Sequence, residues 1–222
     1  MIGKIMEKFK RKKDFIFRLV IFILGMFVSC YGIAITTRSL LGTSPIVTPA
    51  YAVSLFNIPK LDFGMTTFIL NVLFLLGQII ILRKKFPIIQ IIQLPIALAT
   101  GLFVSLSMYL TQFIHSGAYW WNILLVVIGS AVLGLGIAME IWANITYMPG
   151  DGLVNVIYET TGWNFGKIKI SFDVSLVVIA VILTYFGLHE IFGQCVREGT
   201  LISALTVGLF ADIFLKVFKY KK

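Results

Sequence analysis

Long apolar runs constrain this sequence more than any other feature. Six of them carry few charges and are long enough to cross a membrane: Phe15–Thr37, Phe63–Leu82, Ile88–Ile114, Trp120–Trp142, Ile168–Leu188 and Gly199–Val217. An α-helix needs about 20 apolar residues to cross a hydrocarbon core of about 30 Å. A transmembrane β-barrel would instead show alternating segments of about ten residues. The runs therefore predict an all-α polytopic membrane protein with about six transmembrane helices.

The composition supports this class and argues against a soluble domain. Hydrophobic residues make up 59% of the 222 residues and charged residues only 13%, whereas soluble domains carry roughly 25% charged residues. The net charge of +9 does not indicate a nucleic-acid partner, because the basic residues gather at the ends of the apolar runs. They are Lys4, Lys8, Lys10, Arg11, Lys12 and Lys13, then Arg83, Lys84 and Lys85, and finally Lys216, Lys219, Lys221 and Lys222. We expect a lipid bilayer, and no nucleic acid, as the partner of these clusters.

Two further apolar segments, Pro45–Phe56 and Gly150–Thr160, are too short to cross. If they crossed together with the six long runs, the basic triplet at 83–85 would lie outside the cell, against the positive-inside rule. If both segments dip into the membrane and return, the triplet and both termini lie in the cytoplasm. The sequence therefore predicts six crossings and two re-entrant half-helices.

The chain also repeats itself, with three short patterns recurring in the same order. Gly32-Ile33-Ala34-Ile35 and Pro45 match Gly136-Ile137-Ala138-Met139 and Pro149 at an offset of 104; Phe63-Gly64 with Asn71 matches Phe165-Gly166 with Asp173 at 102; residues 97–103 match 204–210 at 107. Each unit holds three crossings, so the second copy must run upside down. We predict an inverted-topology repeat, which is typical of secondary transporters, with a basic tail at 1–14, repeats at 15–114 and 115–218, and a second basic tail at 219–222.

The starts of the two half-helices are the predicted substrate site. The free N–H groups at a helix start can hold an anion or a polar group, and the two starts would approach each other from opposite faces of the membrane. The residues assigned to this site are Arg38, Thr43, Ser44, Pro45, Pro149, Gly150, Asp151 and Gly152. Ser44 is a natural N-cap residue. Asp151 either caps its helix or meets a ligand, and Arg38 either anchors at the outer interface or binds a carboxylate or phosphate.

Two acids inside the apolar runs, Glu140 and Asp173, are candidates for proton or cation coupling. An ionisable group inside a membrane is costly and is commonly functional, although either side chain could instead extend to the interface. The first repeat has Thr36 and Asn71 at the matching positions, so any coupling would be asymmetric. We expect no metal, no cofactor and no enzymatic activity, because no nucleotide-binding loop, Ser–His pair or HExxH motif is present.

A family resemblance follows from three motifs. Residues 38–45, Arg-Ser-Leu-Leu-Gly-Thr-Ser-Pro, are similar to the "RAxLGxSPWD" pattern of the YczE/YyaS/YitT-like bacterial integral membrane proteins, and residues 197–208 resemble the "REGTLxxALxxG" stretch of that group. Pro149-Gly150-Asp151-Gly152-Leu153 fits its glycine-rich middle. The sequence departs from the pattern at Ile46-Val47, where the family has Trp-Asp. The resemblance implies a multi-pass protein of the bacterial inner membrane.

Two functions fit these observations. The first is a secondary transporter or exporter of a small molecule, with anionic and amphiphilic compounds as the candidate classes and a midplane site between the half-helix starts. The second is a non-transporting scaffold or modulator of an envelope or biosynthetic complex. A small-molecule substrate is the expected partner in the first case, and a homodimer is a candidate assembly.

Overall fold

The arrangement of the apolar runs is resolved by a computed structural model, which describes residues 2–163, 165–189 and 194–218. The side chains of residues 2–13, 89, 165 and 166 are not described. The second basic tail at 219–222 and the side chains of the first basic cluster therefore lie outside the described residues. So does the Phe165-Gly166 match of the predicted repeat, apart from its helical backbone.

All regular secondary structure in the described ranges is helical. The helices are α1 (Ile2–Arg38), α2 (Thr48–Ser54), α3 (Phe63–Leu82), α4 (Gln93–Leu110), α5 (Tyr119–Ala143), α6 (Pro149–Thr161), α7 (Phe165–Leu188) and α8 (Glu198–Val217). Six of these, all except α2 and α6, are long and apolar enough to cross a membrane. Large apolar side chains such as Ile80, Leu102 and Leu205 are exposed on them, as expected for helices that face lipid. The predicted all-α membrane fold with six crossing helices is confirmed.

Two boundaries differ from the sequence prediction. Helix α1 begins at Ile2 rather than at Phe15, so the predicted N-terminal tail continues the first helix, although the span suited to the membrane begins only at Asp14. The predicted run Ile88–Ile114 divides into a 3-10 turn at Ile88–Ile92 and the helix α4. Pro95 explains the division, because a proline fits only the first turn of a helix, where its missing N–H leaves no bond unmade.

Each short segment begins at a proline and is separated by a break from the long helix that precedes it. After α1, the chain makes a 3-10 turn at Pro45–Val47 before α2 begins. After α5, Asn144 adopts the left-handed conformation that commonly ends a helix, and α6 then starts with Pro149 in its first turn. The structure thus has the two broken helices that the sequence predicts. Their re-entrant topology stays a prediction.

Helices α1 and α5 form the centre of the molecule. Helix α4 packs on α1, α8 packs on α5, and α3 packs on α4. The short helices lie between the long ones: α2 contacts α3 and α7, and α6 contacts the same two helices. This arrangement surrounds both broken segments with protein, which satisfies the rule that irregular backbone at membrane depth needs protein or water around it.

Candidate functional site

The start of α6 is held by two buried glutamines. Gln78 of α3 donates through Nε2 to the carbonyl oxygen of Pro149 (2.9 Å) and to Oε1 of Gln93 (2.8 Å). Gln93, at the start of α4, donates back to Oε1 of Gln78 (3.2 Å). Both side chains are almost completely buried. Because a buried amide is costly unless it is paired, this bonded pair fixes where the second broken helix begins.

The same helix start meets the start of the first broken segment. Gly150 lies directly against Ile46, since a Cβ added to Gly150 would come within 2.7 Å of Ile46 Cδ1. The chain can approach this closely only because residue 150 has no side chain. The two starts named in the predicted site therefore lie next to each other, and the apolar side chain of Ile46 occupies the gap between them.

The start of the first broken segment is buried, and its threonine hydroxyls bond to other protein groups. Thr43 Oγ1 lies 2.9 Å from Thr37 Oγ1 of α1, and Thr48 Oγ1 donates to the carbonyl oxygen of Ser44 (2.9 Å). Ser44 precedes Pro45 with an extended backbone, but its side chain makes no capping hydrogen bond. The prediction that Ser44 caps this helix is wrong. Pro45 provides no N–H group, and the turn that it begins is a tight 3-10 turn.

Asp151 takes part in a three-residue ion cluster at the second start. Lys169 Nζ of α7 lies 3.5 Å from Asp151 Oδ1 and 3.0 Å from Asp173 Oδ1. The three side chains are 41%, 31% and 21% exposed for Asp151, Lys169 and Asp173. Among the described residues no backbone N–H donates to Asp151, so its role is an ion pair rather than a helix cap. Asp151, predicted for the substrate site, and Asp173, predicted for coupling, thus pair with the same ammonium group, that of Lys169.

Sequence reasoning did not assign Lys169 to this site. The i, i+4 spacing of Lys169 and Asp173 could have indicated the pairing within α7. The contact with Asp151 could not be read from sequence, because it depends on how α6 packs against α7. The cluster carries two negative charges and one positive charge when all three groups are ionised.

Glu140 is the most deeply buried of the acids discussed here, at 8% exposed. Ser29 of α1 donates through Oγ to Glu140 Oε1 (2.7 Å). Gly25, one turn earlier in α1, lies so close that a Cβ there would reach within 3.1 Å of Glu140 Cγ. Glu140 therefore points into the α1–α5 contact. Its part in proton or cation coupling stays a prediction.

Arg38 lies at the end of α1, where it lines a cavity of about 360 Å³. Its Nη2 donates to the carbonyl oxygen of Met108 (2.6 Å), near the end of α4. The structure therefore groups the predicted site residues into neighbouring broken starts with an ion cluster, a buried carboxyl on α5, and an arginine beside a cavity. These groups can bind an anion, exchange a cation or hold a proton within membrane-spanning helices.

Comparison with known proteins gives the family. A model of a family of unknown function, DUF6198, matches residues 16–216. The chain belongs to this family. The membrane protein YczE of Bacillus subtilis (strain 168) is 23% identical over 89% of this chain and 85% of its own length, and YyaS of the same organism is 27% identical over 87% and 90%. Both relatives are described as uncharacterized, and no solved structure matches. The resemblance to YczE and YyaS predicted from the motifs is confirmed.

Proposed function

We propose that this DUF6198 protein is a secondary transporter or exporter of a small anionic or amphiphilic molecule, and not an enzyme. We place it in the plasma membrane with both termini in the cytoplasm. The observation that carries the proposal is a set of reciprocal glycine contacts between α1 and α5. Reciprocal contacts of this kind are expected when two structural repeats pack about a pseudo-two-fold axis, as in many secondary transporters.

Two glycines of α1, Gly25 and Gly32, pack closely against two glycines of α5, Gly136 and Gly129. A Cβ at Gly32 would lie 2.7 Å from the carbonyl oxygen of Gly129, and one at Gly136 would lie 2.6 Å from that of Gly25. In the reverse direction, Cβ atoms at Gly129 and Gly25 would each lie 2.9 Å from the carbonyl oxygens of Gly32 and Gly136. Gly25 and Gly129 are 104 positions apart, as are Gly32 and Gly136. Each contact therefore maps onto the other when the two repeats are interchanged.

The contacts of the other helices also match when the two repeats are interchanged, with one exception. The contact of α1 with α4 corresponds to that of α5 with α8, and the contact of α2 with α7 corresponds to that of α6 with α3. Helices α3 and α4 meet closely, because a Cβ at Gly101 would lie 2.7 Å from the carbonyl oxygen of Gly64. Among the described residues, no atom lies within 4 Å of a Cβ added at Gly208, which the repeat aligns with Gly101. In the part of the chain that the structure describes, the second repeat thus lacks the close contact that the first repeat has.

This difference supports a transport cycle. In a protein built from two inverted repeats, alternating access follows when one repeat adopts the arrangement of the other. The closed α3–α4 pair is also joined by a hydrogen bond from Ser105 Oγ to Asp62 Oδ2 (2.5 Å). Asp212, at the position aligned with Ser105, has no ion-pair or hydrogen-bond partner among the described residues. In the proposed cycle, α7 and α8 of the second repeat come together when α3 and α4 of the first repeat separate.

The ion cluster supplies the coupling step of the proposal. Lys169 pairs with Asp151 at the start of α6 and with Asp173 of its own helix α7, so a cation or proton that neutralises one acid changes how Lys169 is held. Glu140 provides a second ionisable group on the helix that precedes the same break. Because the cluster joins α6 to α7, a change in its charge acts on the broken helix and on a crossing helix at once.

Transport by purified protein in liposomes tests the proposal. A panel of carboxylate, phosphate and amphiphilic solutes is screened with and without a pH gradient, followed by Asp173→Asn and Glu140→Gln. We expect gradient-driven flux of at least one solute and a loss of about tenfold or more in both variants. Glu159→Gln is the matched control, because Glu159 is an exposed acid of α6 whose one side-chain partner among the described residues is Asn155. The absence of flux for the whole panel, or flux that both variants keep, would refute the mechanism.

A scaffold or modulator of an envelope complex is the second candidate. The observation that favours it is the side chain of Ile46, which fills the contact between the two starts where a substrate would bind. A scaffold predicts a stoichiometric co-purifying protein and a thermal stability that no solute of the panel changes. A solute that raises the melting temperature of the purified protein in detergent would argue against it.

A further inference from the structure

The cavity beside Arg38 is bounded by four parts of the chain. Its wall is formed by the end of α1, by α2, by the end of α4 and by the loop that leads to α5. The lining residues are Thr37, Arg38, Leu40, Tyr51, Met108, Ile114, His115 and Ser116. The volume of about 360 Å³ lies in the range of small-molecule sites. Arg38 is the charged residue among these lining side chains.

The guanidinium of Arg38 is incompletely satisfied by protein. Nη2 donates to the Met108 carbonyl, but the buried Nε has no hydrogen-bond partner among the described residues. The donors of an arginine form a planar fork that matches a carboxylate or phosphate. A buried charged donor without a partner is costly. An oxyanion in this cavity would offset that cost and would neutralise a charge held beside membrane-spanning helices.

We propose that this cavity is a binding site for an oxyanion group, a carboxylate or a phosphate, which Arg38 holds directly. Tyr51 and Ser116 contribute hydroxyl groups to the lining, and His115 contributes an imidazole. These side chains can donate hydrogen bonds to oxyanion oxygens. The site is separate from the ion cluster at Lys169, and it stands whether the protein transports a solute or serves as a scaffold.

A second cavity beside the end of α4 bears on the source of the oxyanion. It has a volume of about 410 Å³ and is lined by Phe27, Val28, Tyr31, Leu110, Phe113 and Val132. This lining is almost entirely apolar, and Leu110 and Phe113 lie within a few residues of Met108 and Ile114 of the first cavity. The same oxyanion chemistry could therefore belong to a free anion or to the head group of an amphiphile whose tail uses the apolar cavity.

Trp121 contacts a residue that lines the cavity, so its fluorescence can report ligand binding. Trp121 Nε1 donates to the carbonyl oxygen of His115 (3.2 Å), and Asn122 fastens the same loop by bonding both backbone groups of Gly117. The tryptophan therefore contacts a lining residue without being part of the site. Binding is measured by tryptophan fluorescence of the full chain in nanodiscs of neutral lipid, and it is checked by calorimetry.

The probes are inorganic phosphate, acetate, decyl phosphate, decanoate and the uncharged decanol. We expect saturable binding of at least one anion and, for Arg38→Gln, an affinity lower by about tenfold or more, the loss expected for a charged hydrogen bond. Arg38→Lys keeps the charge and should recover part of the affinity. Lys60→Gln, which removes an exposed charge from the α2–α3 loop, should change the affinity less than about twofold.

The outcomes separate the sources and can overturn the proposal. Binding of phosphate or acetate as tight as that of their decyl counterparts supports a free-anion site, whereas tighter binding of the decyl anions supports an amphiphile. The proposal is overturned if no anion binds, if decanol binds as tightly as decyl phosphate, or if Arg38→Gln and Lys60→Gln bind alike. His115→Ala, which alters only an exposed lining residue, should weaken binding even if Arg38→Gln fails to fold.

Discussion

Ser29 donates a hydrogen bond to the buried carboxyl of Glu140 across the contact between α1 and α5, at 2.7 Å between oxygens. The bond joins α1 to α5, the two central helices, and Gly25 and Gly136 allow it by bringing the backbones together. A buried acid of α5 thus accepts a hydrogen bond from a hydroxyl of α1. This relationship makes the central contact sensitive to the chemistry of a single side chain.

We expect Ser29→Ala to lower the stability of the protein, because it leaves the Glu140 carboxyl buried without this donor. An unsatisfied buried polar group costs about 1–3 kcal/mol. The measurement is the melting temperature in detergent, compared with Ser175→Ala, which removes an exposed hydroxyl that donates to the Phe172 carbonyl. The double variant Ser29→Ala/Glu140→Leu should recover part of the loss, since both partners are then apolar. Equal melting temperatures for the two serine variants would contradict this account.

The glycine contacts predict an asymmetric response to the addition of one methyl group. Gly136→Ala should destabilise the protein by about 1–3 kcal/mol, because the new Cβ would overlap the backbone of α1. Gly208→Ala should be neutral or slightly stabilising, because no atom of the described residues lies within 4 Å of its Cβ and alanine favours a helix. Thermal unfolding of both variants, followed by size-exclusion chromatography, measures the difference. A loss of stability in Gly208→Ala as large as that in Gly136→Ala would disprove it.

Replacing one of the two buried glutamines should loosen the start of α6 and not the whole protein. Gln78→Leu removes the donor to the Pro149 carbonyl and the partner of Gln93, so the first turn of α6 should open more often. Hydrogen exchange followed by mass spectrometry should show faster exchange of the peptide that contains residues 150–156. Gln112→Leu, which changes an exposed glutamine after α4, serves as the control. Unchanged exchange in Gln78→Leu would show that other contacts position α6.

Membrane topology can be tested by labelling single cysteines in intact cells. Cys30 and Cys195 are buried and free, and both are first replaced by alanine. With two re-entrant segments, Lys60→Cys should react with a membrane-impermeant maleimide from outside, whereas Lys84→Cys should react only after the cells are opened. If all eight segments crossed, with the N-terminus in the cytoplasm, the two results would be reversed. The pair therefore separates the two topologies without relying on signal strength.

The fold was largely predictable from the sequence, because each crossing must satisfy a simple length and polarity requirement. Phe63–Leu82 agrees residue for residue, and the proline breaks before α2 and α6 were also expected. The 3-10 turn before α4 was not expected, because the apolar run continues through it and only Pro95 indicates where a regular helix begins. The start of α1 at Ile2 was missed for the opposite reason: its first residues are polar enough to suggest a tail, yet nothing in them prevents a helix.

The site was only partly predictable. Acidic residues in apolar runs identified Glu140 and Asp173, but their partners Ser29 and Lys169 depend on which helices pack together. Gln78 could have been singled out as an amide within an apolar run, although its target, a backbone carbonyl at Pro149, has no sequence signature. The glycines illustrate the same limit. Gly136 and Gly208 each lie in an apolar run of the sequence, but among the described residues only Gly136 has a neighbouring helix within 4 Å of an added Cβ.

Ile46 and Gly150 have a consequence that reaches beyond their own contact. Because the two side-chain positions leave no free space between them, a shift of one broken helix along its axis must displace the other. In the proposed transporter, a ligand that favours one position of the first segment would therefore change the affinity of a ligand at the second, and by the same factor in the reverse direction. If the two segments open to opposite faces of the membrane, as proposed, binding at one face would then alter binding at the other through the side chain of Ile46.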